Sequence, residues 1–191
     1  CVVANFLSNG NRNCAFCREP VATDAEESHK RMVERVKAND PVALRQMGWR
    51  CYTEGDLDGA FEYYSKAAEL GDFMAHNQLG DMYWRGQGVE QDMEKAVNHY
   101  EKAAIGGHPY ARHNLAGIEE ENGNIERAVK HFIIAAKLGF DLSMKALWSQ
   151  YSDGNITKDD LDATLRVHQA AIVETKSKQR DAAEAYFLSR S

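Results

Sequence analysis

The sequence predicts an all-α, right-handed helical-repeat solenoid, an α/α superhelix, and three observations carry that prediction. Only three of the 191 residues are Pro, while Ala, Leu, Glu and Lys are frequent. Lys-Ala-Ala occurs at Lys66-Ala67-Ala68 and again at Lys102-Ala103-Ala104, and Ala135-Ala136 and Ala170-Ala171 take the same place in two further units. Gly71, Gly107 and Gly139 each stand three residues past an alanine pair. The units repeat every 32 to 36 residues, the period of stacked helix pairs that bury a continuous core only by packing on their neighbours.

The chain divides into residues 1–21, a cysteine-bearing segment; 22–39, a connecting or capping helix; 40–174, four repeats; and 175–191, a final helix and tail. Within 22–39 the composition is charged, with Met32, Val33 and Val36 as a narrow apolar stripe suited to covering the first repeat. Asp40-Pro41 opens the first repeat and His108-Pro109 the third. Asp suits a helix N-cap and Pro the first helical position.

The first helices carry Ala43, Ala75, Ala111 and Ser143, each followed four residues on by Met47, Leu79, Leu115 and Leu147. The second helices begin their apolar faces at Ala60, Ala96, Ala128 and Ala163, with Tyr64, Tyr100, Phe132 and Val167 as larger partners. Small residues at matching places let helices approach closely. Asp72 and Asp92 are expected to cap the two helices of the second unit, Asn124 and Thr157 the later second helices. Gly86 and Gly88 supply the turn between the helices of unit two. Residues 175–191 contain Ala182, Ala183, Ala185, Tyr186 and Leu188, the makings of a last helix.

Leu79-Gly80, Tyr83, Gly86 to Val89, Asp92, Lys95-Ala96, Tyr100 and Lys102 to Ala104 together resemble the Sel-one-like repeat, a relative of the tetratricopeptide repeat. Units one and three have shorter turns, Tyr52 to Asp56 and Glu121 to Asn124, closer to ordinary tetratricopeptide turns. Unit four departs further, with Trp148 in place of a small residue. The resemblance implies a protein-protein interaction scaffold whose first helices line a concave groove. Counting from each unit's Leu, the groove positions are Arg45, Trp49, Tyr52, Asn77, Asp81, Trp84, Arg85, His113 and Glu120. Trp, Tyr and Arg are the side chains that carry interface energy. Trp49 and Trp84 could equally fill space between helices.

Four cysteines are present, Cys51 alone in a helix and Cys1, Cys14 and Cys17 near the start. Two thiolates spaced as Cys14-Ala-Phe-Cys17 can grip one tetrahedral metal, although redox pairs share that spacing. The segment resembles the C-terminal half of a RING-type zinc finger. That resemblance implies zinc on Cys1, Cys14 and Cys17, with the other ligands upstream, and Arg18 as a contact to a ubiquitin-conjugating enzyme. Ala15 departs from the family's usual Pro. The expected function is then the substrate- or adaptor-binding part of a RING-type ubiquitin ligase, with zinc complete only in a longer parent. The alternatives are unliganded thiols and a non-enzymatic adaptor whose finger only binds protein or metal.

The remaining features exclude rather than assign. A net charge of −6 argues against nucleic acid, and no run reaches transmembrane length. Six of the seven histidines, His76, His99, His108, His113, His131 and His168, share no ligand spacing, and no Ser-His-Asp order, HExxH or phosphate loop is present. No catalytic site is expected. An intracellular location, cytoplasmic or nuclear, is expected from the cysteine-poor helical repeats, and the start at Cys1 without Met reads as a piece of a longer frame.

Overall fold

Residues 25–175 are described by a computed structural model. Among them nine helices follow in order without a strand: α1 (Ala25–Lys37), α2 (Pro41–Glu54), α3 (Leu57–Glu69), α4 (Phe73–Arg85), α5 (Met93–Ile105), α6 (Pro109–Glu121), α7 (Ile125–Lys137), α8 (Asp141–Ser152) and α9 (Lys158–Thr175). Cys1, Cys14, Cys17 and Arg18, and the tail with Ala182 and Tyr186, lie outside the described residues.

Short polar side chains fix where these helices start. The Asp40 carboxylate accepts from the Val42 and Ala43 amides, with Pro41 as the first helical residue. Asp56, Asp72 and Asp92 accept from Gly59, Ala75 and Lys95 in the same way, and His108 Nδ1 accepts from Ala111. Each such cap is worth about 1 kcal/mol. Asn124 does not cap α7; its amide donates to the Glu119 carboxylate at 2.8 Å instead. Thr157 Oγ1 accepts from the Asp160 amide at 3.2 Å and donates to the Asp160 carboxylate at 2.7 Å, as the box-like spacing suggested.

Two glycines are required by geometry. Gly107 closes α5 at φ +83, and its amide donates to the Ala104 carbonyl. Gly88, at φ +70, presses the turn after α4 onto α3; a Cβ there would stand 2.8 Å from the Leu57 carbonyl oxygen.

Helices pair as α2 with α3, α4 with α5 and α6 with α7, and each second helix also packs on the next first helix. The packing rests on a size rule. The first helix offers a small residue, and an aromatic of its second helix lies on it. A Cβ added to Gly48 would meet the Tyr64 ring at 2.7 Å, and one added to Gly80 would meet Tyr100 at 2.6 Å. Ala116 and Phe132 share one core cluster in the third pair. Ala60, Ala96 and Ala128 return the favour from the second helices, each fully buried. Tyr64, Tyr100 and Phe132 are buried as deeply, each worth roughly 2–3 kcal/mol of apolar transfer.

The fourth pair breaks the rule. Trp148 stands where Gly48, Gly80 and Ala116 stand, and Leu161 replaces the buried alanine near the start of the second helix. Two large residues keep α9 from lying on α8 as its predecessors lie on theirs, and α9 packs on α7 as well. Its buried face is Leu161, Thr164 and His168, at helical spacing. Val167, expected in the core, is 44% exposed, and Ala170 faces solvent. Ala163 is half-buried. The pattern-based alignment therefore placed the wrong face of α9 inward. His168 anchors the correct one, with Nδ1 2.8 Å from the Ala136 carbonyl of α7 and Nε2 3.0 Å from the Asp141 carboxylate of α8.

At the other end, Val36 of α1 packs against the first core cluster, and Arg35 donates to Asp40 at 2.8 Å.

Candidate functional site

The first helices α2, α4, α6 and α8 stand side by side and are joined by side chains that cross from one to the next. Between α2 and α4, Arg45 Nε donates to Asp72 at 2.9 Å, and Tyr52 OH donates to Gln87 at 3.0 Å. Between α4 and α6, Asn114 donates to Asp81 at 3.2 Å. Between α6 and α8, His113 Nδ1 lies 2.9 Å from Ser143 Oγ, and Gln150 donates to Glu120 at 2.5 Å.

The expected groove residues therefore fall into two groups. Arg45, Asp81, His113 and Glu120 are engaged within the fold, and Asn77 is buried with its carbonyl oxygen unpartnered. Arg45 steadies the carboxylate that caps α4. Asn77 is only 3% exposed, so it offers a partner nothing. Asp81 accepts from Tyr100 OH at 2.6 Å as well as from Asn114. Burial raises its pKa, and these two donors and the nearby Arg85 oppose the rise. His113 is wedged between Phe132 and Phe140, ring centroids 5.3 Å away from each, and burial lowers its pKa, which keeps it neutral.

Trp49, Tyr52, Trp84 and Arg85 form the second group. Trp49 is 62% exposed and Trp84 37%, so neither is core. The Arg85 guanidinium lies 5.3 Å from the Trp84 ring, a cation–π arrangement that holds both side chains outward. Beside them a cavity of about 170 Å³ opens between α2 and α4, lined by Tyr52, Tyr64, Gln78, Asp81, Met82 and Arg85. Gln78, Tyr64 and Met82 were missed by sequence reasoning. Tyr64, expected in the core, and Met82 are both buried yet line the cavity; Gln78 adjoins Asn77, and only the helix phase separates the half-buried amide from the buried one.

A second cavity, about 400 Å³, lies on the other layer and is lined by Ser65, Ala68, Glu69, His76, Leu79, His99 and Lys102. His76 and His99 face each other with Nδ1 atoms 3.0 Å apart, so one ring must donate and the other accept. Burial lowers both pKa values, that of His99 to about 4. Among the described residues no three His, Cys, Asp or Glu side chains converge as metal ligands, and no helix is long and apolar enough to cross a membrane.

Comparison with known proteins gives one consistent result. The Sel1 repeat profile matches residues 41–72, 74–108 and 109–140, the spans of α2–α3, α4–α5 and α6–α7 with their closing turns. A sel1-like repeat-containing protein of Acanthamoeba polyphaga mimivirus is 28% identical over 143 residues, covering 71% of this chain and 26% of the viral protein. The crystal structure of a Sel1 repeat protein from Oxalobacter formigenes superposes with a TM-score of 0.65 at 28% identity, covering 78% of this chain and 65% of that one. A protective antigen with an SLR fold, from uropathogenic Escherichia coli, gives 0.62 at 28% identity over 84% of this chain and 36% of the antigen. The chain thus spans about a quarter of the length of the viral relative.

Proposed function

The chain belongs to the Sel1 repeat family, and on that premise we propose that its first-helix wall docks a segment of a partner protein. One observation carries the reading: Tyr52 and Arg85 line the cavity between α2 and α4, Arg85 stacks on the exposed Trp84, and Trp49 is exposed one turn before Tyr52, while Arg45, Asp81, His113 and Glu120 are engaged in hydrogen bonds within the fold. Trp and Tyr concentrate interface energy because they bury a large area at small entropic cost, and Arg because its planar fork makes directed hydrogen bonds and stacks on aromatic rings. A segment with an apolar or aromatic anchor and an acidic group suits them, the carboxylate pairing with Arg85.

The finer reading assigns this wall to a RING-type ubiquitin ligase. In a longer protein with a complete finger, zinc would sit on Cys1, Cys14 and Cys17 together with upstream ligands, Arg18 would meet a ubiquitin-conjugating enzyme, and the wall would hold the substrate or adaptor. Its support is the Cys-x-x-Cys-Arg run alone. The non-enzymatic adaptor uses the same wall.

A displayed peptide library selected on the immobilised chain tests the docking proposal. Enriched peptides should combine an aromatic or aliphatic anchor with Asp or Glu. Their affinity should fall at least about tenfold in Trp84→Ala/Arg85→Ala, while the helical circular dichroism is kept. Peptides that bind the double variant as well as the parent would remove the wall from the function.

A further inference from the structure

The two edges of the solenoid differ in composition. Arg45 near the start of α2 reaches Asp72 at the start of α4, and Gln150 near the end of α8 reaches Glu120 near the end of α6, so the first helices run parallel. The turns between units, α3–α4, α5–α6 and α7–α8, therefore share one edge, and the turns within units share the other. The within-unit edge is acidic. Glu54, Asp56, Glu90, Asp92 and Glu121 stand in or beside its turns, and Asp58, Glu94 and Glu126 in the first turns of the helices that follow. The between-unit edge carries exposed apolar side chains instead. Leu70, Phe73 and Met74 stand at its first turn, Ile105 at the second, and Leu138 and Leu142 at the third, each between 45% and 79% exposed.

The three turns form one ridge. The Phe73 ring lies against Gly106, where it leaves no room for a Cβ, and Phe140 meets Tyr110 edge-on with ring centroids 5.8 Å apart. A lysine flanks each turn from the last turn of the preceding helix: Lys66, Lys102 and Lys137. The helix dipole favours a cation there, but it does not require the exposed Leu and Ile beside it. Lys145 adds an exposed cation in α8. Most acids near the ridge already have partners. Asp72 is held by Arg45, Asp141 lies 3.0 Å from His168, and Glu62 faces Lys66 at 3.9 Å, which leaves Glu69 and Glu101. A chain of net charge −6 thus presents a basic, apolar ridge opposite an acidic edge. This composition selects the occupant. A protein interface concentrates Trp, Tyr and Arg and is depleted in Lys. Leu, Ile and Met interleaved with Lys suit the surface of an anionic bilayer: the apolar groups enter among the headgroups, and the lysine stems lie along them with the ammonium at the phosphates. The acidic edge is repelled by the same surface, which turns the ridge toward it.

We propose that the between-unit edge docks peripherally on an anionic lipid surface, with Leu70, Met74, Ile105, Leu138 and Leu142 among the headgroups and Lys66, Lys102 and Lys137 at the phosphates. Co-sedimentation of the 191-residue chain with vesicles tests this. Phosphatidylcholine alone is compared with phosphatidylcholine containing about one third phosphatidylserine. The chain should sediment with the serine-containing vesicles only, and its partition should fall steeply between about 0.1 M and about 0.5 M salt. Ile105→Ser/Leu138→Ser and Lys102→Gln/Lys137→Gln should each lower the partition at least about tenfold, with the helical circular dichroism and the peptide affinity of the first-helix wall unchanged. Met93→Ser alters an exposed apolar side chain on the acidic edge and should leave the partition as it was. Absence of binding to the anionic vesicles overturns the proposal, as does equal binding to phosphatidylcholine alone or binding that survives either double variant. So does a concentration-dependent dimer, seen by sedimentation velocity, that Ile105→Ser/Leu138→Ser dissolves while vesicle binding is absent; the edge would then belong to a second copy. If the serine variant fails to fold, the lysine variant, confined to exposed side chains, gives the same decision.

Discussion

Gly80 shows how much one atom decides at the residue scale. Its missing Cβ is the space the Tyr100 ring occupies, and that ring in turn places a hydroxyl on Asp81. Gly80→Ala should cost about 1–3 kcal/mol, the usual penalty for overpacking a core. Urea unfolding of the variant checks this. Gly117→Ala is the control: a Cβ there meets nothing within 4 Å, so replacing a helical glycine should stabilise by about 0.5–1 kcal/mol. A Gly80→Ala protein as stable as its parent would mean that Tyr100 does not lie on Gly80. The Leu79-Gly80 pair was legible in the sequence as a motif. Its partner was not, because which ring fills a missing side chain is a property of two helices and not of one. Trp49 and Trp84 were ambiguous for the same reason. Periodicity puts an aromatic on a face, and only the neighbouring helices decide whether that face is covered.

Helices as elements were largely readable, since Asp40, Asp72 and Asp92 announce their starts and Gly107 an end. The exception was α9. An Ala-x-x-x-Val pattern at Ala163 and Val167 imitated the earlier second helices, while Trp148 one helix earlier had already withdrawn the surface they need. The contact between α4 and α5 adds a pH dependence. His76 and His99 meet there, with Lys102 and Asp72 facing them and Tyr83 stacked on His99. Burial depresses both pKa values below the ordinary 6.5, His99 to about 4, and the charge of Lys102 adds to the depression. The fold therefore favours the neutral rings. Their contribution is complete above about 6.5 and is lost as the pH falls from there toward 4. Burial depresses His108, His113 and His131 in the same direction. The urea midpoint should thus drop between pH 7 and pH 4.5, above the range in which the Asp40 carboxyl, held low by Arg35 and backbone amides, begins to protonate. His99→Phe keeps a ring against Tyr83 and should flatten part of that slope; an unchanged slope would place the titration elsewhere.

Across the described residues the buried apolar side chains fall into three clusters strung along the chain, spanning α2 to α4, α5 to α6, and α6 to α9. No single centre holds all of them, so stability is close to a sum of unit terms and nearest-neighbour interfaces. The docking wall inherits this modularity. Trp49, Tyr52, Trp84 and Arg85 belong to α2 and α4, at the junction of the first two units, and their spacing depends on that junction and little on the far end. Native-state hydrogen exchange should resolve the modules. Leu115, 5% exposed in the middle cluster, is the place to perturb. Leu115→Ala should cost about 2–5 kcal/mol locally. It should accelerate exchange in α5 to α7 first, while α2 and α3 keep most of their protection and the peptide affinity of the wall holds. If every amide from α2 to α9 accelerates by the same factor, the chain opens as one cooperative body, and the wall is coupled to units it does not touch.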